Sequence, residues 1–219
     1  MNKMLLPALA VVGALGAGGY WYVTQQATPA GSVAAQGAPA SATVLHELDI
    51  PLGNVEAPVV VVEYSSFTCP HCAAFNQGPY QQLKADFIDT GRILYLKREV
   101  YFDRYGLWAG MVARCAGPER YHAMTALIYE QQRAWAASAD PAIVADNLRR
   151  LGLQAGMDAA QVDACLTDGE KALALTEFYQ ASATADNIRA TPTFIINGQQ
   201  FSNMPYAEFE KILTDKLGN

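Results

Sequence analysis

The sequence contains little charge, and the shortage is concentrated at its N-terminal end. Charged residues make up 16% of the 219 residues, whereas about 25% is usual in soluble proteins. No charged residue occurs between Lys3 and Glu47. Basic residues number 15 against 21 acidic ones, which gives a formal net charge of −6. Proteins that bind nucleic acid normally carry a basic excess or patch, so the composition argues against that class of partner.

Cysteine is also scarce, with four residues in the chain. Four are too few for a scaffold held by disulfides, and a chain of this length buries a full core without them. Cys69 and Cys72 form a single Cys-x-x-Cys motif, which excludes a four-thiolate zinc site. No histidine follows Cys72 directly, so the motif is not a haem attachment site. The 22 aromatic residues, 11 Tyr, 8 Phe and 3 Trp, indicate a folded body rather than a disordered chain.

The uncharged N-terminal stretch predicts an export signal. Lys3 gives it a positive start, and the apolar run over residues 4–23 is long enough to cross a bilayer. The run ends in Tyr20-Trp21-Tyr22, residue types that favour the membrane interface. We therefore favour an uncleaved signal anchor. The alternative is a signal peptide cleaved after small residues such as Ala14-Leu15-Gly16.

Residues 24–43 consist mainly of Ala, Gly, Pro, Ser and Gln and are predicted to form a flexible linker. The folded body is expected over residues 44–217. With Lys3 on the inner side, this body would lie on the outer side of the membrane. In a bacterium that is the periplasm, with residues 4–23 as a tether to the inner membrane.

The body begins with a strand, a helix and a second strand. Val59–Tyr64 is a β-branched run typical of a strand buried on both faces. Residues 70–90 have helical spacing, with a kink expected at Gly78-Pro79. Ile93–Val100 is predicted as the second strand.

A helical insert is predicted over residues 103–187, where no good strand pattern occurs. Within it, one helix is expected to open at Asp140-Pro141 and to close at Gly152. A hairpin with a type I′ turn at Asn197-Gly198 follows the insert, and a helix ends the body. The predicted fold class is therefore α/β, a mixed central sheet covered by helices.

The strongest chemical signal is Cys69-Pro70-His71-Cys72, at the junction of the first strand and the first helix. Unpaired backbone N–H groups and the helix dipole stabilise an anion at this position, and His71 could donate to the Cys69 sulfur or add positive charge. Both effects lower the pKa of Cys69. The stabilised thiolate exists only in the reduced form, so the motif should act as an oxidant. Cys72, one turn later, suits a buried resolving thiol.

The body resembles the DsbA-like family of thiol:disulfide oxidoreductases, which have a thioredoxin fold with a helical insertion between its two halves. The resemblance rests on residues 60–72, which end in the Cys-x-x-Cys motif, and on residues 190–198, which contain Thr191-Pro192. It implies that Cys69 is the nucleophile, that Pro192 is a cis-proline facing the disulfide, and that Thr191 offers backbone groups to an extended substrate. It requires no cofactor.

Two further pairs carry open interpretations. Glu63 interrupts an apolar strand and Lys97 lies on the next one, so they form either a plain salt bridge or, as the resemblance implies, a proton-transfer pair beneath the active site. Cys115 and Cys165 are expected to form a structural disulfide in an oxidising compartment, a pairing known in some DsbA-like proteins; two free buried thiols are the alternative. His46 and His122 are expected to be surface or hydrogen-bonded histidines without a catalytic role.

The leading functional hypothesis is a dithiol oxidase acting on folding secreted polypeptides. The resemblance implies that a DsbB-like membrane quinone reductase recycles it. Linker 24–43 lacks an apolar stripe for self-association, so we expect a monomer. An isomerase or reductase of the same fold is one alternative, since Thr191 stands where the best-known oxidases of the family have valine. A periplasmic soft-metal-binding protein using Cys69 and Cys72 is another.

Overall fold

The computed structural model describes residues 45–218, and the segments assigned to the anchor and the linker lie outside these residues. Five strands form one mixed sheet in the order β1-β3-β2-β4-β5. The parallel pair is β2 with β3, and the other three pairs are antiparallel. The strands are β1 (Leu52–Gly53), β2 (Val59–Ser65), β3 (Ile93–Glu99), β4 (Thr193–Ile196) and β5 (Gln199–Ser202).

Helices cover both faces of the sheet. Between β2 and β3 run α1 (Pro70–Gln77) and α2 (Pro79–Leu83), and α2 continues as one π-helical turn, Lys84–Ile88. The insert between β3 and β4 consists of six helices, and a last helix follows β5. These are α3 (Arg104–Cys115), α4 (Pro118–Glu130), α5 (Gln132–Trp135), α6 (Pro141–Gln154), α7 (Ala159–Leu166), α8 (Gly169–Ala185) and α9 (Tyr206–Leu217).

The core divides according to the alternation of side chains along the strands. Val61, Tyr95 and Phe194 pack on one face against α1, α2 and α9. Their strand neighbours Val62 and Leu96 point to the other face, where α8 packs. A third apolar cluster fills the insert and extends to the residues around Cys72. The chemical motif therefore lies where the sheet, α1 and the insert meet.

The predicted fold class is confirmed: the structure has a thioredoxin-like mixed sheet with a helical insertion. The expected break at Gly78-Pro79 is present, because α1 ends at Gln77 and α2 begins at Pro79. The hairpin turn is present too, with positive φ angles of 47° at Asn197 and 79° at Gly198. Within residues 45–218, no helix is both long and apolar enough to cross a membrane.

Two details differ from the sequence-based expectation. The edge strand β1 was not predicted; its two residues pair with Leu94 and Tyr95 of β3. Gly152 does not close a helix, since α6 continues to Gln154. A Cβ atom at position 152 would lie 2.6 Å from a methyl carbon of Val162. Glycine is therefore needed there for the close approach of α6 and α7, not for helix termination.

Candidate active site

Strand β2 and helix α1 present the two cysteines of the motif differently. Cys69 is the N-cap residue of α1, with φ −83° and ψ 119°, and Pro70 occupies the first helical position, where its missing N–H costs nothing. Cys69 is half-buried and His71 is exposed, whereas Cys72 is fully buried. Both are free cysteines in this structure. A reactant from solution therefore meets Cys69 first.

The surroundings of Cys69 stabilise its thiolate. Hydrogen bonding from the Cys72 thiol is the largest effect, and it outweighs partial burial. The backbone N–H groups of Cys72 and His71 add to it, and the pKa of Cys69 is lowered to about 5. His71 thus helps to lower the pKa of Cys69 through its backbone N–H, whereas the sequence suggested that its imidazole would do so. Cys69 is therefore a thiolate at neutral pH.

Cys72 has the opposite character. Burial raises the pKa of the Cys72 thiol well above its usual range, and the hydrogen bond to Cys69 and the negative charge of Glu63 raise it further. A thiol of this kind is a poor first nucleophile because the thiolate is the reactive form. The pair is therefore divided into one acidic, accessible thiol and one protonated, buried thiol.

The loop before β4 faces the sulfur of Cys69. The Thr191–Pro192 peptide bond is cis, and Cys69 Sγ lies 3.5 Å from the carbonyl oxygen of Thr191. Pro192 is buried, while Thr191 is partly exposed beside it. The structure thus brings together residues 69 and 191, although 122 positions separate them in the sequence.

Glu63 and Lys97 meet beneath these sulfurs. They are directly paired in the register of β2 and β3, and they are 0% and 2% exposed. Lys97 Nζ donates to Glu63 Oε2, as does the hydroxyl of Tyr95, and Lys97 also lies 3.3 Å from Ser65 Oγ. Sequence reasoning missed Tyr95. Its signal was the period of two along β3, which places residues 95 and 97 on one face.

Comparison with known proteins agrees with this geometry. Residues 46–215 match the thioredoxin family, a match that covers well over half of the chain. The chain belongs to the thioredoxin family. Within that family, its structure resembles α-DsbA1 of Wolbachia pipientis, with a TM-score of 0.73 and 22% sequence identity over 83% of this chain and 96% of that one. For BdbD from Bacillus subtilis the TM-score is 0.69 at 22% identity, over 78% of this chain and 94% of that one.

Sequence relatives of this thioredoxin-family chain carry names from disulfide chemistry. A Rickettsia prowazekii protein named "Putative protein-disulfide oxidoreductase" is 32% identical over 170 residues, 77% of this chain and 61% of the relative. A Rickettsia bellii protein of the same name is 34% identical over 163 residues, 73% of this chain and 61% of the relative. The chain thus spans about three fifths of the length of these curated relatives. The predicted resemblance to DsbA-like proteins is confirmed.

The insert of this thioredoxin-family domain contains the other two cysteines. Cys115, at the end of α3, and Cys165, in α7, are joined by a disulfide, with Cα atoms 6.1 Å apart and a sequence separation of 50. Both cysteines belong to helices of the insert and not to the Cys69–Cys72 motif. It ties α3 to α7 and therefore closes a large part of the insert into a covalent loop.

The remaining sequence candidates do not join the site. His46 is exposed and stacks on Phe178 with ring centroids 4.2 Å apart. His122 Nε2 lies 3.1 Å from the Ile50 carbonyl oxygen, and burial, followed by the charge of Lys97, lowers its pKa to about 4. Over residues 45–218, no three His, Cys, Asp or Glu side chains are grouped so as to hold a metal ion.

Proposed function

We propose that this protein is an exported thiol:disulfide oxidoreductase that donates a Cys69–Cys72 disulfide to folding secreted polypeptides. The observation that carries the proposal is the different placement of the two thiols. Cys69 is half-buried at the N-cap of α1, where its pKa is lowered to about 5, whereas Cys72 is fully buried and its pKa is raised. A low thiol pKa makes Cys69 a good leaving group, so a mixed disulfide at its sulfur is resolved quickly towards the oxidised substrate.

The reaction begins with the oxidised protein. A substrate thiolate attacks Cys69 Sγ, which forms a mixed disulfide and releases Cys72 as a thiolate that takes up a proton. A second substrate thiolate then attacks the substrate sulfur of that mixed disulfide, and Cys69 leaves as the stabilised thiolate. The substrate has formed one disulfide and lost two electrons, and the protein has gained them as the reduced pair.

The groups around the sulfurs support each step. Glu63 and Lys97 are the candidates for assisting the proton that Cys72 gains or loses, because the carboxylate is close enough to raise the Cys72 pKa. The backbone of Thr191 beside cis-Pro192 would pair with an extended substrate segment, as an added strand does at a sheet edge. The carbonyl oxygen of Thr191 lies 3.5 Å from Cys69 Sγ, so this backbone is within reach of a substrate bound at Cys69.

Turnover requires an electron acceptor that reoxidises Cys69 and Cys72. We propose that a DsbB-like membrane quinone reductase accepts these electrons. We also propose that the folded body is a monomer in the bacterial periplasm. Retention of residues 4–23 as an anchor would hold the body at the inner membrane. Fractionation and N-terminal sequencing test this: a soluble mature chain that starts between Gly16 and Gly37 would show cleavage instead.

The function itself is tested by refolding one substrate from two starting states, fully reduced and disulfide-scrambled. We expect the oxidised protein to restore activity quickly from the reduced substrate and to act more slowly on the scrambled one. Cys69→Ser should abolish both activities. Fast recovery of the scrambled form with slow oxidation of the reduced form would establish an isomerase instead of an oxidase.

A further inference from the structure

A glutamine of the helical insert reaches the backbone of the catalytic turn. Gln132 is the first residue of α5 and is 7% exposed. Its Nε2 atom donates two hydrogen bonds, at 2.7 Å to the carbonyl oxygen of Phe67 and at 2.9 Å to that of Cys69. One side chain therefore binds the backbone on both sides of Thr68, two residues before the nucleophile and at the nucleophile itself.

These carbonyl groups belong to the turn that aims the sulfur of Cys69. The Cys69 carbonyl also accepts from the N–H of Ala73 at 3.2 Å, which is the first hydrogen bond of α1, and the Cys69 N–H donates to the Ser66 carbonyl at 3.1 Å. Fixing this backbone fixes the direction of the Cα–Cβ bond. That direction places Sγ against the N–H groups of residues 71 and 72 that stabilise the thiolate.

The same contact has an electrostatic consequence. The carbonyl oxygens of Phe67 and Cys69 carry partial negative charge in the same turn as the sulfur that becomes an anion. An amide donor offsets that charge, and its effect is larger in a buried site than in water. Gln132 is itself held in place, because Trp135 of the same short helix is 1% exposed and its Nε1 donates to the Ile128 carbonyl at 2.9 Å.

We propose that Gln132 is a positioning residue through which the helical insert sets the reactivity of Cys69. The inference rests on the proposed role of Cys69 as nucleophile and leaving group. In this account the insert does more than enlarge the domain: it supplies the donor that holds the turn around the reacting sulfur.

The test compares Gln132→Met with Gln131→Met. Methionine keeps the length of the side chain but removes the donor. Gln131 is the matched control, because its Nε2 donates to Gln154 Oε1 at 3.0 Å and not to the turn. The readout is the pH dependence of iodoacetamide labelling of Cys69 in the reduced, folded protein. We expect the midpoint for Gln132→Met to rise by about half a unit to one unit, while Gln131→Met leaves it unchanged.

A merely structural role predicts a different pattern. Gln132→Met would then lower the unfolding free energy but leave the midpoint of Cys69 labelling where it is, and that result would overturn the inference. If the variant does not fold, NMR titration of the wild-type protein decides. The side-chain amide resonances of Gln132 should follow the ionisation of Cys69, and those of Gln131 should not; a flat Gln132 response refutes the inference.

Failure of this inference is distinguishable from failure of the proposed function. If the wild-type protein labels at Cys69 only as an ordinary thiol does, near pH 8.5, both proposals fall. If wild-type Cys69 is acidic and the substrate is oxidised, but Gln132→Met behaves like Gln131→Met, only the role of Gln132 falls.

Discussion

Replacing Lys97 with methionine should destabilise the protein far more than the loss of an ordinary salt bridge. Lys97 and Glu63 are buried, and Glu63 Oε1 has no hydrogen-bond partner among the residues described. The substitution keeps an unbranched apolar chain but leaves the carboxylate without its cation. Removing one partner of a buried pair costs about 3–5 kcal/mol. We expect the unfolding free energy at pH 7 to fall by that amount in urea denaturation of the reduced protein.

Two variants serve as controls. Lys84→Met removes the exposed pair with Asp89, whose side chains are 38% and 51% exposed, and should cost less than about 1 kcal/mol. The double variant Glu63→Gln, Lys97→Met removes both charges, and the Tyr95 hydroxyl can still donate to the new amide oxygen. It should recover to within about 2 kcal/mol of the wild-type protein.

Two results would contradict this expectation: Lys97→Met lowers the unfolding free energy no more than Lys84→Met does, or the double variant is as unstable as Lys97→Met alone. The denaturant slopes should agree among the variants, because the surface exposed on unfolding is the same. The double variant also separates the two interpretations of the pair. Slower substrate oxidation by a folded double variant indicates proton transfer, whereas an unchanged rate indicates a salt bridge.

Four further outcomes are expected. Iodoacetamide labelling of reduced Cys69 should rise through about pH 5, with Cys72 almost unlabelled; equal labelling of both would refute the assignment of roles. Joint replacement of Cys115 and Cys165 by alanine should lower the unfolding free energy by about 4 kcal/mol, the loop entropy for a separation of 50. In the unmutated protein, mild dithiothreitol should open the 69–72 bond first. Burial lowers the pKa of His122 from 6.5 to about 4 in the folded protein. Neutral His122 therefore contributes its full share of the unfolding free energy above pH 6.5, and this share is lost as the pH falls towards 4. In His122→Gln, the unfolding free energy should change by up to about 3 kcal/mol less over this pH range than in the wild-type protein. An unchanged dependence of the unfolding free energy on pH would contradict this prediction.

Much of the fold could be predicted because local patterns agree with the final packing. The β-branched run of β2 is buried on both faces, and the Asn-Gly turn of the hairpin fixes its own geometry. Strand β1 was not predicted because two residues are too few to show the alternation of a strand. They form a strand only through their pairing with β3. Gly152 was misjudged for a related reason: its need for a small side chain comes from Val162 in another helix.

The active site divides in the same way. The place of Cys69 at a strand–helix junction follows from adjacent residues, so its character could be inferred directly. The contact between Thr191 and Cys69 could be predicted only from the family resemblance, because no local sequence pattern links residues that are 122 positions apart. The donors Tyr95 and Gln132 were missed because their roles come from long-range contacts. Tyr95 is 32 positions from Glu63 in the sequence, and Gln132 is 63 positions from Cys69.

The most direct measurement of the central claim is the equilibrium of the Cys69–Cys72 couple with glutathione. The purified protein is equilibrated at graded ratios of reduced to oxidised glutathione, and the free thiols are alkylated and counted. Stabilisation of the Cys69 thiolate predicts a reduction potential well above that of thioredoxin, which is about −270 mV, so the disulfide should be reduced under mildly oxidising conditions. A couple that stays oxidised near −270 mV would contradict the account.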